Sequence, residues 1–168
     1  DYENPIFVMD KLLFNNRGKA QYEQAQYAAA IQDYNQSLSL DAVYAKALLN
    51  RGSAFYQQKN YSAAIADLEK VTETTPPVAQ MLALAYYQTN QYEKSLEMIE
   101  KAQQGGINDA SLSLYKGNIL YQNGDYQAAV TAFNNAEELG ISDGDLFAKR
   151  GNSYFQLKNM QQAAAVLK

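Results

Sequence analysis

A glycine or alanine returns at fixed intervals along this chain: Gly18, Gly52, Ala83, Gly117 and Gly151, at steps of 34, 31, 34 and 34 residues. Two further columns keep the same register. An apolar residue follows nine positions later (Tyr27, Tyr61, Tyr92, Tyr126, Met160), and a small one three beyond that (Ala30, Ala64, Ser95, Ala129, Ala163). A fixed period of this length is the signature of a stacked array, in which each supersecondary unit buries its apolar face only against its neighbours.

The stretch Tyr115 to Leu139 shows the unit best. It reads as two short amphipathic helices broken at Gly124-Asp125. Gly in a helix interior costs about 1 kcal/mol against Ala, so Gly117 calls for close approach of a second helix. Tyr126 and Phe133, seven apart, supply that helix with apolar bulk. The first unit reads as one helix from about Pro5 to Gln24, with Asn4 as cap and Pro5 at the first helical position. A second helix follows from Tyr27 to Leu40. Thr75-Pro76-Pro77 reads as an N-cap and first turn. Gly105-Gly106 and Gly140 read as helix stops, and Ser142 or Asp143 as the cap of the next helix.

This period, with Gly, Tyr, Ala, a later bulky residue and a further Ala, resembles the tetratricopeptide repeat. Counted from Lys11, the units run 11–44, 45–75, 76–109, 110–143 and a truncated 144–168, after an N-terminal extension of the first helix over 1–10. The resemblance implies a single all-α array, a right-handed solenoid of stacked antiparallel helix pairs with about ten helices. The chain departs from the pattern in places. The bulky fourth position is Phe14, Leu48, Ala79, Ser113 and Phe147, and the seventh, often Leu, is Arg17, Arg51, Leu82, Lys116 and Arg150. The second unit is three residues short, which alters the angle to the third.

Composition narrows the chemistry. Without Cys or His, thiol nucleophiles, His-dependent catalysis and the usual zinc sites are excluded. Asp33, Asp67, Glu97 and Glu100 read as outward or junction positions on second helices, so no paired carboxylate site is expected, and neither an enzyme nor a cofactor is. A net charge of −4 argues against a nucleic-acid partner. No apolar run reaches membrane-spanning length. The cysteine-free composition suits cytoplasm and extracytoplasmic compartments alike.

The resemblance also implies a concave groove lined by the first helices, at positions 2, 5, 6, 9, 12 and 13 of each unit. The twelfth positions are Tyr22, Tyr56, Tyr87, Tyr121 and Phe155, and the thirteenth include Gln57, Gln88 and Gln122. Tyr gives rigid contact area with a hydroxyl, and Gln both donates and accepts. Asn16, Lys19, Leu49, Asn50, Ser53, Gln80, Leu84, Leu114, Asn118 and Asn152 complete the candidate surface. The expected partner is an extended or short helical segment of another protein. Asn50, Asn118 and Asn152 would reach its backbone, and Leu49, Leu84 and Leu114 its apolar side chains. Two plainer readings stand beside this one: the tyrosines can serve as packing between helices, and the glutamines as a solvated face. The family's clamp for a C-terminal carboxylate lacks its residues in either register, Asn15, Lys19, Asn50, Pro77, Met81 or Gln80, Leu84, Tyr115, Asp145, Lys149. A structural spacer is the alternative function, with self-association through the open apolar face at Ala164 and Leu167. The chain opens on Asp1 and ends part-way through a unit, as a piece of a longer protein would.

Overall fold

A computed structural model describes residues 5–166, with side chains from Asp10 to Gln161. The described residues form nine helices: α1 (Pro5–Glu23), α2 (Tyr27–Leu40), α3 (Ala45–Gln57), α4 (Tyr61–Leu68), α5 (Pro76–Gln88), α6 (Tyr92–Gln104), α7 (Ala110–Gln122), α8 (Tyr126–Glu138) and α9 (Gly144–Val166). α1 to α8 make four antiparallel hairpins, and α9 packs on α8 and α7. Each odd-numbered helix touches the next odd-numbered one, α1 with α3 through to α7 with α9, whereas among the described residues no even-numbered helix touches another. The first helices of the hairpins therefore line the tighter, inner side of the stack and the second helices splay on its outer side.

The glycine column explains why the hairpins close. A Cβ on Gly18, Gly52 or Gly117 would lie 2.7, 2.9 and 2.6 Å from the side chains of Tyr34, Leu68 and Phe133, one turn or more inside the second helix of the same unit. Tyr34, Leu68 and Phe133 are all fully buried. The glycine thus trades helix propensity for a ring or leucine seated on bare backbone. Ala30, Ala64, Ala129 and Ala136 are likewise sealed between helices.

The four hairpin turns share one geometry. The residue two before each second helix is left-handed: Ala25, Lys59 and Asn90 at φ near +59 (58, 59 and 59), and Gly124 at 79. The next N–H bonds five residues back, Gln26 to Gln21 O, Asn60 to Phe55 O, Gln91 to Tyr86 O and Asp125 to Leu120 O. This is the 6→1 closure of a Schellman motif. Three of the four turns place a side chain in a region that glycine, and less readily asparagine, adopts without strain. Lys59→Gly should therefore stabilise the protein by about 0.5–1 kcal/mol, read as a raised midpoint in urea unfolding.

Two differences from the expected pattern stand out. The tenth helix is absent among the described residues, because α9 runs without a break through Lys158-Asn159. The same dipeptide turns at Lys59-Asn60, so turn chemistry does not decide the matter. Gly52 has Leu68 seated on it, whereas among the described residues nothing approaches within 4 Å of a Cβ on Gly151, and Leu167, sixteen positions beyond it, lies outside them. The edge-on partner that Tyr61 gives Tyr56 has Met160 in its place. The second difference is at Thr75, which occupies the N-cap of α5 in extended conformation but makes no side-chain capping bond. Pro76 at the first helical position starts that helix without it. Asn4, the expected cap of α1, lies outside the described residues, as do the side chains of Ala164 and Leu167. Gly106 and Gly140 take φ of 88 and 101 as helix stops, and Asp143 accepts from the N–H of Asp145 at the start of α9.

Candidate functional site

The first helices bring the tyrosines of the twelfth positions onto the inner side. Each is braced by the tyrosine that opens the second helix of its own hairpin, edge-on in three pairs and tilted in Tyr87–Tyr92. Ring centroids lie 5.3 Å apart in Tyr22–Tyr27, 5.8 Å in Tyr56–Tyr61, 5.7 Å in Tyr87–Tyr92 and 5.9 Å in Tyr121–Tyr126. Tyr115 adds a ring stacked flat on Tyr87 at 3.9 Å. All are half-buried, with one side in the helix interface and the other toward the groove. Burial, with the neighbouring Tyr61 next, pushes the Tyr56 phenol up to about 12, so its hydroxyl stays neutral and able to donate.

A ladder of polar contacts stitches neighbouring first helices together along this face. Asn118 Nδ2 donates to the Tyr87 hydroxyl at 3.1 Å, and Asn118 Oδ1 accepts from Lys149 Nζ at 2.9 Å. Asn152 makes the equivalent bond to the Tyr121 hydroxyl one unit on. Asn50 Nδ2 donates to Asn15 Oδ1, Gln80 Nε2 to Asp109 Oδ2, and Gln88 Nε2 to the Tyr115 hydroxyl. Ser53 donates to Leu49 O and meets the Met81 sulfur.

The ladder divides the candidate residues. Asn118 is 7% exposed and has its donor and acceptor both engaged. Asn50 and Asn152 each engage Nδ2 in an interhelix bond, and their Oδ1 atoms take no bond among the described residues. Leu49, Leu84 and Leu114 are half-buried against the cores between units. Gln57 and Gln122 are exposed and form no hydrogen bond among the described residues. Asn16 is exposed, Lys19 sits loosely 3.9 Å from Glu23, and Phe155 is 61% exposed on α9. Lys19, Tyr22, Asn50 and Ser53 rim a small hollow of about 180 Å³ between α1 and α3.

Of the carboxylates expected on outward or junction positions, Glu97 and Glu100 are exposed, whereas Asp33 and Asp67 are placed differently. Asp33 and Asp67 are buried, 5% and 3% exposed. Each takes a two-pronged bond from the arginine at the seventh position of its own unit. Arg17 Nε and Nη2 reach Asp33 at 2.7 and 2.6 Å, and Arg51 Nε and Nη2 reach Asp67 at 2.7 Å each. Arg51 Nη1 also bonds Asn35 of the preceding unit. A buried carboxylate is tolerated when a guanidinium satisfies it in this fork. The pairs clip hairpins shut and carry no catalytic geometry. The sequence holds their signal: the third unit has Leu82 and Met98 at the same two positions, an apolar pair for an ionic one.

A cleft of about 690 Å³ lies on the outer side instead, among α6, α7 and α8. It opens where Ser113 replaces a bulky fourth-position residue. Asn135 Nδ2 bonds Ser113 Oγ at 2.8 Å in that space, and α6 packs only lightly on α7.

Comparison with known proteins agrees with this architecture. No curated protein sequence matches the chain. A solved structure described as "YrrB: a TPR protein with an unusual peptide-binding site" superposes with a TM-score of 0.73 at 21% identity, covering 87% of this chain and 77% of that one. MamA from AMB-1 gives 0.76 at 19% identity, covering 93% and 87%. MamA from RS-1 gives 0.67 at 23%, covering 77% and 75%. At these identities the likeness is one of fold. No described helix is long and apolar enough to cross a membrane. The family's members are generally protein-interaction modules and typically non-catalytic. A family model for the tetratricopeptide repeat matches residues 15–79, 81–145 and 116–168, and the chain belongs to that family.

Proposed function

We propose that this array is a scaffold that captures an extended or short helical segment of a partner protein on its inner face. The observation that carries the reading is the state of the glutamines. Gln57 and Gln122 stand exposed beside braced tyrosines, with amide groups that nothing in the described chain uses. A side-chain amide can pair with both the N–H and the C=O of a passing peptide. Neighbouring polar groups of the same face are consumed in the interhelix ladder, so the surface is held rigid before any partner arrives, which lowers the ordering cost of capture. The peptide-binding site named for YrrB makes such a use familiar in this fold.

Along its middle the groove carries little charge beyond the Asp109 carboxylate that Gln80 bonds. From Leu49 to Gln122 the groove-facing positions are amide, hydroxyl, aromatic or aliphatic. Binding should accordingly change little with salt. The double variant Gln57→Ala, Gln122→Ala should keep wild-type helical circular dichroism and melting temperature while weakening peptides selected on the native array by about tenfold or more, roughly 0.5–1.5 kcal/mol for each lost bond. Peptide display followed by calorimetry reads this out. Selected peptides that bind the double variant as tightly as the native array would remove the inner face from consideration.

A further inference from the structure

Among the described residues α9 has no second helix packed along it, only α8 and α7 behind it. In the third unit α6 fills that place: Tyr86 is 4% exposed, and Lys94 of α6 lies over its ring. Tyr154, at the same position of the fifth unit, is 53% exposed, with Phe147 and Phe155 beside it at 38% and 61%. Nothing among the described residues comes within 4 Å of a Cβ on Gly144 or Gly151. An apolar seam is thus left bare on a helix that runs unbroken to Val166.

The order of residues along the seam says what fits it. Positions 144, 147, 151 and 154 lie three and four apart by turns, the spacing that keeps one side of a helix toward a partner helix, and they read Gly, Phe, Gly, Tyr. Laid antiparallel on its own copy, this run sets Phe147 opposite Gly151 and Tyr154 opposite Gly144, so that each ring meets a glycine. The molecule already uses that contact, with Tyr34 on Gly18 and Phe133 on Gly117, each between antiparallel helices. We propose that α9 is a self-association surface, on which the α9 of a second copy packs antiparallel about a two-fold axis. The proposal is independent of the inner-face reading.

Three features favour a second copy as the occupant. A seam of alternating glycine and ring is complementary to its own reverse, whereas an amphipathic helix with bulk at every inward position would leave rings facing rings. The next seam positions, Lys158 and Gln161, fall beyond the paired run, so its ends are polar. Leu146 and Ser153, buried on the side of α9 that faces the rest of the array, hold the two arrays on opposite flanks of the helix pair, where they do not collide. The chain's own C-terminal residues are out of reach while α9 is straight, since Val166 stands about 22 Å along the axis from Gly151.

Sedimentation equilibrium of the whole chain tests this directly, and the share of dimer should rise with concentration. Gly151→Gln should weaken association at least tenfold with helical content unchanged or higher, because Gln is the better helix former and a side chain there meets nothing within the described chain. Phe147→Ala should weaken it too, and the exchanged pair Phe147→Ala, Gly151→Phe should restore it by setting small against large again. A native chain that is monomeric at every concentration overturns the proposal. A dimer that Gly151→Gln leaves intact overturns it as well, since its contact then lies elsewhere. The chain has no cysteine, so an internal disulfide in a monomeric Gly151→Cys, Leu167→Cys variant would put the chain's own end on the seam and equally sink the second copy.

Discussion

Phe133→Ala should destabilise the protein by about 3–5 kcal/mol, the range for removing a fully buried aromatic side chain. Phe133 is wholly inaccessible and sits on the bare backbone of Gly117 while packing with Ala129, Ala136 and Leu146. The cavity cannot collapse easily, because the approach of α7 and α8 is already at glycine contact. The reciprocal change sharpens the point. Gly117→Ala gains up to about 1 kcal/mol of helix propensity, yet its new Cβ would meet Phe133 Cδ1 and Cε1 at 2.6 Å. Overpacking of this kind costs about 1–3 kcal/mol, so the variant should come out less stable than the native protein despite the better helix former. Adding Phe133→Leu to Gly117→Ala should recover much of that loss, with a coupling above 0.5 kcal/mol in a double-mutant cycle, roughly the level at which contact is diagnosed. Urea midpoints measure all of these, and additive effects of the two changes would show that glycine and ring do not share a contact.

Asp67→Ala should cost about 2–3 kcal/mol. Losing one partner of a fully buried pair costs about 3–5 kcal/mol, and the smaller figure reflects the Arg51 side chain, 21% exposed and so partly served by water. The loss is of connectivity as well as charge, since Arg51 joins Asn35 on α2 to Asp67 on α4 from its place on α3. The third unit supplies the control. It places Leu82 and Met98 at the equivalent positions, within one apolar cluster. The double change Arg51→Leu, Asp67→Met should therefore be close to native stability, because replacing a buried ion pair by packed apolar residues is often neutral or better. A double variant as unstable as Asp67→Ala alone would mean that the bond to Asn35 carries the effect.

These pairs also show where sequence reasoning succeeds and where it stops. Helix boundaries were legible because the tyrosine that opens each second helix is also its unit's register mark: α2, α4, α6 and α8 start at Tyr27, Tyr61, Tyr92 and Tyr126 as expected. The continuous α9 was not legible, since Lys158-Asn159 repeats a dipeptide that turns at Lys59-Asn60. Asp33 and Asp67 looked exposed because charge was weighed one residue at a time. Read jointly with Arg17 and Arg51, sixteen positions earlier, they form a pair. The groove was legible as a set of positions but not as a set of roles. Nothing in the residue types separates Asn118, closed into the ladder, from Gln122, left open, because that depends on Tyr87 and Lys149 reaching it from adjacent units.

The light packing of α6 on α7 has a consequence for how the chain folds and opens. Among the described residues every contact between helices joins neighbours along the chain or one unit apart, so contact order is low and folding should be fast, starting in any unit and spreading outward. Spreading needs an interface worth crossing. The junction of α5–α6 with α7–α8 is held by the buried cluster that joins Ala79, Ala83, Ile99 and Ala102 to Leu112 and Ile119, and on its inner edge, between α5 and α7, by the Tyr87–Tyr115 stack and the bonds of Gln80, Gln88 and Asn118. The array should consequently divide there into two cooperative blocks. Amides of α7 to α9 would then exchange with solvent through openings that leave α1 to α6 protected, and Ser113→Leu, by filling the outer edge, would merge the two blocks into one.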